Sequence, residues 1–308
     1  MTTADSRPRT IEIESSGERL AATVYGGASA EPAPAKPAPA VLICTGFSGT
    51  QDTPSIVAAA EAFAAAGWIV MTFDYRSFGS SSGTPRQVVS VPGQLADIRA
   101  AVAYLRTRPD VDAGRVALWG SSLGGGHVIT IAARDPAIAA VVAQVPFNGF
   151  PKQTDRESLP AKAAYALLWA AIRDRVRGWT GRKPLYVKAV APPGEQAVMA
   201  SQGASQTIAA LTSETWRNQV APRGLLDMMV YKPGKHVGRV RAPLLVCVGE
   251  FDRETQGATT EPLARDAPRG ELRSYPVAHF DIYSPEIRER VLADQVAFLR
   301  NAFTEAVI

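Results

Sequence analysis

Cysteine is nearly absent from this chain: 308 residues hold two, Cys44 and Cys247, with no C-x-x-C pair. Each sits in an apolar, strand-like run, V-L-I-C-T or L-L-V-C-V, where a free thiol packs as a small hydrophobe. With only three histidines besides, a structural zinc site has almost nothing to be built from. Also missing is any apolar run long enough to span a bilayer, and the first ten residues, M-T-T-A-D-S-R-P-R-T, carry no apolar leader core. The expectation is a cytoplasmic protein without a membrane span. No Lys/Arg block or basic-aromatic stripe occurs, and the formal charge is only +4, so nucleic acid is not an expected partner.

The composition that remains, 46% hydrophobic and 20% charged, is that of an ordinary globular chain. Its length suits one large α/β domain with an insertion, or two small domains.

The most informative stretch runs from Arg115 to His127, R-V-A-L-W-G-S-S-L-G-G-G-H. A short apolar strand, Val116 to Trp119, meets Gly120-Ser121-Ser122-Leu123-Gly124, and a small-residue helix start follows. A serine at the centre of such a turn is forced into a strained conformation, which works only if its neighbours carry almost no side chain. The turn lifts the Ser122 hydroxyl clear of the sheet edge and aims the first helical N–H groups at whatever that oxygen attacks. G-x-S-x-G alone would arise by chance in roughly one chain in ten of this length. Its weight here comes from the strand before it and the helix after it.

Around this centre, strand-like and helix-like segments alternate. Thr10–Glu14 and Leu20–Tyr25 suggest a hairpin, and the Pro/Ala-rich stretch Gly26–Ala40 an exposed loop. Val41–Thr45, Trp68–Phe73, Ile138–Val145, Pro243–Gly249 and Glu271–Pro276 read as strands. Helices are expected over Pro54–Ala66, with Thr53 as N-cap and Pro54 at N1, over Val91–Arg106, and over Pro285–Phe303. Strands apolar along their whole length, alternating with helices, point to a parallel sheet covered on both faces. Between Phe147 and Arg239 the rhythm breaks. A helix over Ser158–Gly178, an irregular Lys183–Gln206, a helical region over Ile208–Asn218 and an apolar Leu225–Tyr231 read as a helical cap. The expected division is core (1–146), cap (147–239) and core again (240–308).

A serine hydroxyl needs a base in hydrogen-bond reach, and the base needs a group that fixes its tautomer. His279, in the loop after the last strand, is the best-placed base. His127, one turn into the helix after the serine, reads as packed, and His236 as solvated. Asp252, at the end of its own strand, is the candidate orienting carboxylate, with Glu250 and Asp281 as competitors. Two convergent N–H groups must hold a tetrahedral oxyanion; Leu123, next to the serine, and Phe47, after Gly46, are the candidates.

With these residues in view the chain resembles an α/β-hydrolase. The order Ser122, Asp252, His279 matches that family's nucleophile, acid and histidine. Asp74-Tyr75-Arg76-Ser77-Phe78-Gly79-Ser80-Ser81 resembles its D-x-R-x-x-G-x-S loop. Ala278-His279-Phe280-Asp281-Ile282-Tyr283 is similar to the histidine loop of dienelactone-hydrolase-like and peptidase-S15-like proteins and fungal polyketide transferases. The likeness covers about Val41–Gln144 and Pro243–Phe303. Where many members have His-Gly before the oxyanion residue, this chain has Thr45-Gly46. The resemblance implies an eight-stranded, mostly parallel sheet in the order 1-2-4-3-5-6-7-8, which separates Cys44 from Cys247, and a helical lid after the sixth strand. It also implies a serine hydrolase cleaving a small-molecule carboxylic ester, thioester or lactone without metal or organic cofactor. Acyl transfer to an alcohol, or ligand binding without catalysis on the same scaffold, are the alternatives. Phe147, Phe150, Trp169, Met228 and Met229, with Phe47, would line an apolar substrate pocket. A homodimer is compatible with all of this.

Overall fold

The computed structural model describes residues 7–27, 36–150, 161–200 and 203–305. Parts of the expected Gly26–Ala40 loop, of the Ser158–Gly178 helix and of the Lys183–Gln206 stretch therefore lie outside the described residues.

Strands β1 (Arg9–Ser15) and β2 (Glu18–Tyr25) form the expected antiparallel hairpin, closed by Ser16 and Gly17 at positive φ. The sheet continues with β3 (Ala38–Cys44), β4 (Ile69–Phe73), β5 (Val111–Ser121), β6 (Ala140–Gln144), β9 (Leu244–Gly249) and β10 (Gly270–Tyr275). Its order is β1-β2-β4-β3-β5-β6-β9-β10, which is the expected eight-stranded arrangement. β3, β4, β5, β6, β9 and β10 are mutually parallel, and β2 pairs antiparallel with β4. Two strands stand between β3 and β9, so the buried Cys44 and Cys247 remain free thiols.

Burial explains the strand sequences. All five residues of β4 and of β6 are buried, as a sheet covered on both sides requires. Along β3, Val41 and Ile43 point to one apolar cluster, and Leu42 and Cys44 to the other. The first cluster takes up Ile56, Ala59, Ala60 and Phe63 of α1 (Pro54–Ala65) and Val291, Phe298 and Leu299 of the last helix, Pro285–Glu305. The second takes up Leu95, Ile98, Val102 and Leu105 of α2 (Val91–Thr107) and Val128, Ile129 and Ile131 of α3 (Leu123–Ala132). The i, i+3, i+7, i+10 spacing in α2 is what lays that helix on the sheet. Ser90 caps it, its hydroxyl accepting the Gly93 N–H at 3.2 Å. Thr53 does occupy the N-cap of α1, but its hydroxyl makes no capping bond.

Between β6 and β9 lie α4 (Ala161–Trp179), the short strands β7 (Lys188–Ala191) and β8 (Ala197–Ala200), α5 (Ala204–Leu211), α6 (Gly224–Val230) and a 3₁₀ segment, Pro233–Arg239. Two sequence expectations need correction. The stretch expected to be irregular contains the β7/β8 pair. The helix expected over Ile208–Asn218 instead ends at Leu211. Beyond it, Asp52 takes hydrogen bonds from the Ser213 hydroxyl (2.7 Å), the Thr215 N–H (2.9 Å) and the Thr215 hydroxyl (2.8 Å), which fixes these residues in a non-helical path.

Candidate active site

Ser122 stands between β5 and α3 at φ 53°, ψ −118°, a costly conformation for a residue with a Cβ. The two flanking glycines are there because nothing larger fits. A Cβ on Gly120 would lie 2.3 Å from the Gly124 carbonyl oxygen, and one on Gly124 would lie 2.3 Å from that of Cys44. The turn is tied to the next strand by the Ser122 N–H donating to Gln144 O (2.9 Å) and the Phe147 N–H donating to Ser122 O (2.8 Å). Ser122 remains half-exposed, while Leu123 and Phe47 are buried. Leu123 opens α3, so its N–H has no carbonyl to bond within the helix.

At the C-terminal ends of β9 and β10, on the same edge of the sheet, Asp252 meets His279: Oδ2 lies 2.7 Å from Nδ1. Asp252 is 6% and His279 3% exposed. Burial alone would raise the carboxyl pKa, but the charge and hydrogen bond of His279, with the Thr255 donors, outweigh it and hold Asp252 below its ordinary value. Burial likewise opposes a charged His279, yet the Asp252 carboxylate prevails and the imidazole is raised. Because Nδ1 faces Asp252, Nε2 is the ring atom left to exchange a proton with a reacting group.

The competitors fall elsewhere. Glu250 is exposed, and Asp281 accepts the Ala278 N–H at 3.1 Å, bracing the histidine loop. His127 is fully buried, with Nδ1 3.0 Å from the Tyr231 hydroxyl and Nε2 2.9 Å from Gln94 Oε1. His236 is half-buried in the 3₁₀ segment.

Residues that the sequence reading passed over complete the surroundings. The Thr255 hydroxyl lies 2.7 Å from Asp252 Oδ2, 3.3 Å from His279 Nδ1 and 3.1 Å from Val145 O. The Thr255 N–H and Glu254 N–H both donate to Asp252 Oδ1, at 2.7 and 2.9 Å. The D-x-x-T spacing, resembling a helix cap, is the one signal that marks it in the sequence. Val145, whose carbonyl meets that hydroxyl, is held at φ 38°, which is unusual for a β-branched residue. Beneath the serine, Ser121 Oγ lies 2.7 Å from the Tyr283 hydroxyl. Gln144, Gln295 and Trp119 extend this contact into a buried chain of hydrogen bonds.

The loop carrying Phe47 is braced from three sides. The Thr45 hydroxyl, at the position of the absent histidine, donates to Gly49 O (3.2 Å). From the D-x-R-x-x-G-x-S segment, the buried Asp74 accepts the Gln51 N–H (2.8 Å) and the Ser80 N–H (2.9 Å). From the segment between β6 and β9, Ser213 and Thr215 grip Asp52. Of the expected pocket residues, Phe147 and Met228 are buried, with the Phe147 ring edge-on to Phe150 at 5.4 Å. Phe150, Trp169 and Met229 are 45%, 54% and 49% exposed.

Among the described residues one grouping has metal-ligand spacing: Asp252, Glu254 and His279, with ligand atoms within 4.8 Å of one another. The Asp252 carboxylate is already saturated by His279, Thr255 and Glu254, so an ion there would have to displace those bonds. No helix of the described residues is long and apolar enough to cross a membrane.

Comparison with known proteins finds relatives of the whole chain and of parts of it. The family described as "Serine aminopeptidase, S33" matches residues 35–283. The quorum-quenching protein AidA of Acinetobacter baumannii (strain MDR-ZJ06) is 36% identical over 297 residues, covering 96% of this chain and 95% of that one. The thiohydrolase apmlB of Arthrinium phaeospermum is 36% identical over 136 residues, 44% of this chain and 43% of that one. Among solved structures, the α/β hydrolase GrgF from Penicillium sp. sh18 superposes with a TM-score of 0.80 at 20% identity, covering 97% and 99% of the two chains.

Proposed function

Because the chain belongs to the serine aminopeptidase S33 family of α/β hydrolases, we propose that it cleaves a carboxylic ester, thioester or lactone through an acyl-enzyme on Ser122. The observation that carries this reading is the buried Asp252–His279 pair, which lies on the sheet edge where the strained turn presents Ser122. In the first step Nε2 of His279 takes the hydroxyl proton as Oγ adds to the acyl carbon. The imidazolium is stabilised by Asp252, and the oxyanion is held by the N–H groups of Leu123 and Phe47. Collapse breaks the bond to the leaving alcohol or thiol, which receives the proton from His279. Water, deprotonated by the same nitrogen, then adds to the acyl carbon, and His279 returns that proton to Ser122 Oγ as the C–Oγ bond breaks and the acid is released.

The similarity to a protein named a thiohydrolase supports thioesters within the substrate range. The residues 147–239 would act as a cap over the serine, with Phe147 and Met228 on its inner side. Ser122→Ala is the test: turnover of p-nitrophenyl esters and labelling by a fluorophosphonate should both vanish while the melting temperature is unchanged. Equal activity in the variant would overturn the assignment.

A further inference from the structure

The outward side of α4 is unusual for a surface helix. Tyr165, Leu168, Trp169, Ile172, Val176 and Trp179 are 72%, 36%, 54%, 39%, 47% and 79% exposed. At 3.6 residues per turn these six fall within a single arc of roughly 100°, while the buried Leu167, Ala171 and Asp174 occupy the opposite side. The stripe runs about 21 Å along the helix. On the area scale of aromatic side chains it offers on the order of 600 Å², the upper end of what a monomer tolerates and close to the ~800 Å² per partner of a stable interface.

Its apolar positions four and seven residues from Ile172 are matched on both sides, with a cation opposite an aromatic at three. Tyr165 and Trp179 lie seven residues to either side, Leu168 and Val176 four, and Trp169 and Arg175 three. A surface that complements itself in this way is what a twofold, isologous contact requires. We propose that a second copy of this chain covers α4, with the two helices antiparallel about an axis through Ile172. Tyr165 then meets the partner's Trp179, Leu168 meets the partner's Val176, and the seven-residue spacing of Tyr165, Ile172 and Trp179 forms the seam. Arg175, steadied by Asp227 at 2.7 Å, faces the partner's Trp169 as a cation over an aromatic ring.

The charges flanking the stripe make the proposal testable. Arg173, Arg177 and Lys162 border one side of the arc, and the sole carboxylate of α4, Asp174, is buried against Arg223 at 2.6 Å. In the dimer these cations repel their copies, so added salt should tighten association. An anionic bilayer, the other surface that would accept such a helix, would bind less tightly as salt rises.

Sedimentation velocity on the full chain at micromolar concentration should show a dimer whose dissociation constant falls with salt. Ile172→Glu places two like charges on the axis and should weaken it at least about a hundredfold, with unchanged circular dichroism at 25 °C. Under oxidising conditions Ile172→Cys should give a disulfide-linked dimer, and Met229→Cys, exposed but off the seam, should not. A wild-type monomer at all concentrations overturns the proposal, as does a dimer indifferent to Ile172→Glu. So does salt-sensitive binding of a monomer to phosphatidylglycerol vesicles that Ile172→Glu abolishes.

Discussion

Two histidines of this protein are equally hidden and opposite in character. His127, 0% exposed, sits in α3 between Tyr231 and Gln94; His279, 3% exposed, sits in a loop against Asp252. Both lose their hydration. The first has only neutral partners, and burial drives its pKa down to about 3. The second has a carboxylate at 2.7 Å, which more than offsets the same loss and raises it. Burial therefore does not decide whether an imidazole can accept and return a proton near neutrality; the charge of its neighbour does.

The largest expected effect separates the two directly. His279→Ala should lower kcat/KM for p-nitrophenyl esters by about 10³-fold or more, whereas His127→Gln should leave it within a few-fold in the folded protein. Comparable losses in both variants would remove the distinction.

A smaller effect concerns acid stability, and here the signs differ. The unfolded His127 takes up a proton below about pH 6.5, while the folded one does so only near pH 3, so stability falls as pH drops through that window. The slope should approach 1.4 kcal/mol per pH unit, and His127→Gln should remove it in urea titrations at stepped pH. The raised pKa of His279 works the other way: its pairing stabilises fully below the unfolded value and is lost as pH rises through the folded one.

The smallest effect sharpens the role of the neighbour. Thr255→Val removes one donor from Asp252 Oδ2, leaving the carboxylate more attractive to the imidazolium. We expect about a tenfold loss in kcat/KM, and an acid limb of the pH–rate profile, already raised by Asp252, displaced further upward. Thr255→Ser should restore both, and a profile that does not move would mean the hydroxyl is merely structural.

These contrasts also mark what could be read from sequence. The turn around Ser122 is legible because its requirements are local: Gly120 and Gly124 face backbone atoms contributed within a few residues or by the adjacent strand. The apolar strands and the spacing in α2 are legible for the same reason, and the strand order followed from family resemblance. Thr255 was not, since its importance arises only when β6, β9 and β10 bring Val145, Asp252 and His279 together. The end of α5 is not legible in the apolar pattern: Thr212–Asn218 is rich in weak helix formers, and a distant aspartate, Asp52, holds Ser213 and Thr215 in a non-helical path. In α4 the sequence indicates a helix, but only the structure shows that Leu167 and Ala171 are buried while Leu168 and Ile172 are exposed.

Asp52 has a further consequence for anyone who would exchange parts between members of this family. Its carboxylate is the rivet through which residues 213–215 grip the strip of backbone that carries Phe47. A transplanted insertion lacking hydroxyls at those two places would strip two donors from the half-buried anion beside the candidate oxyanion donor. Chimeras that alter substrate range by replacing this region should therefore carry Ser213 and Thr215 along with it.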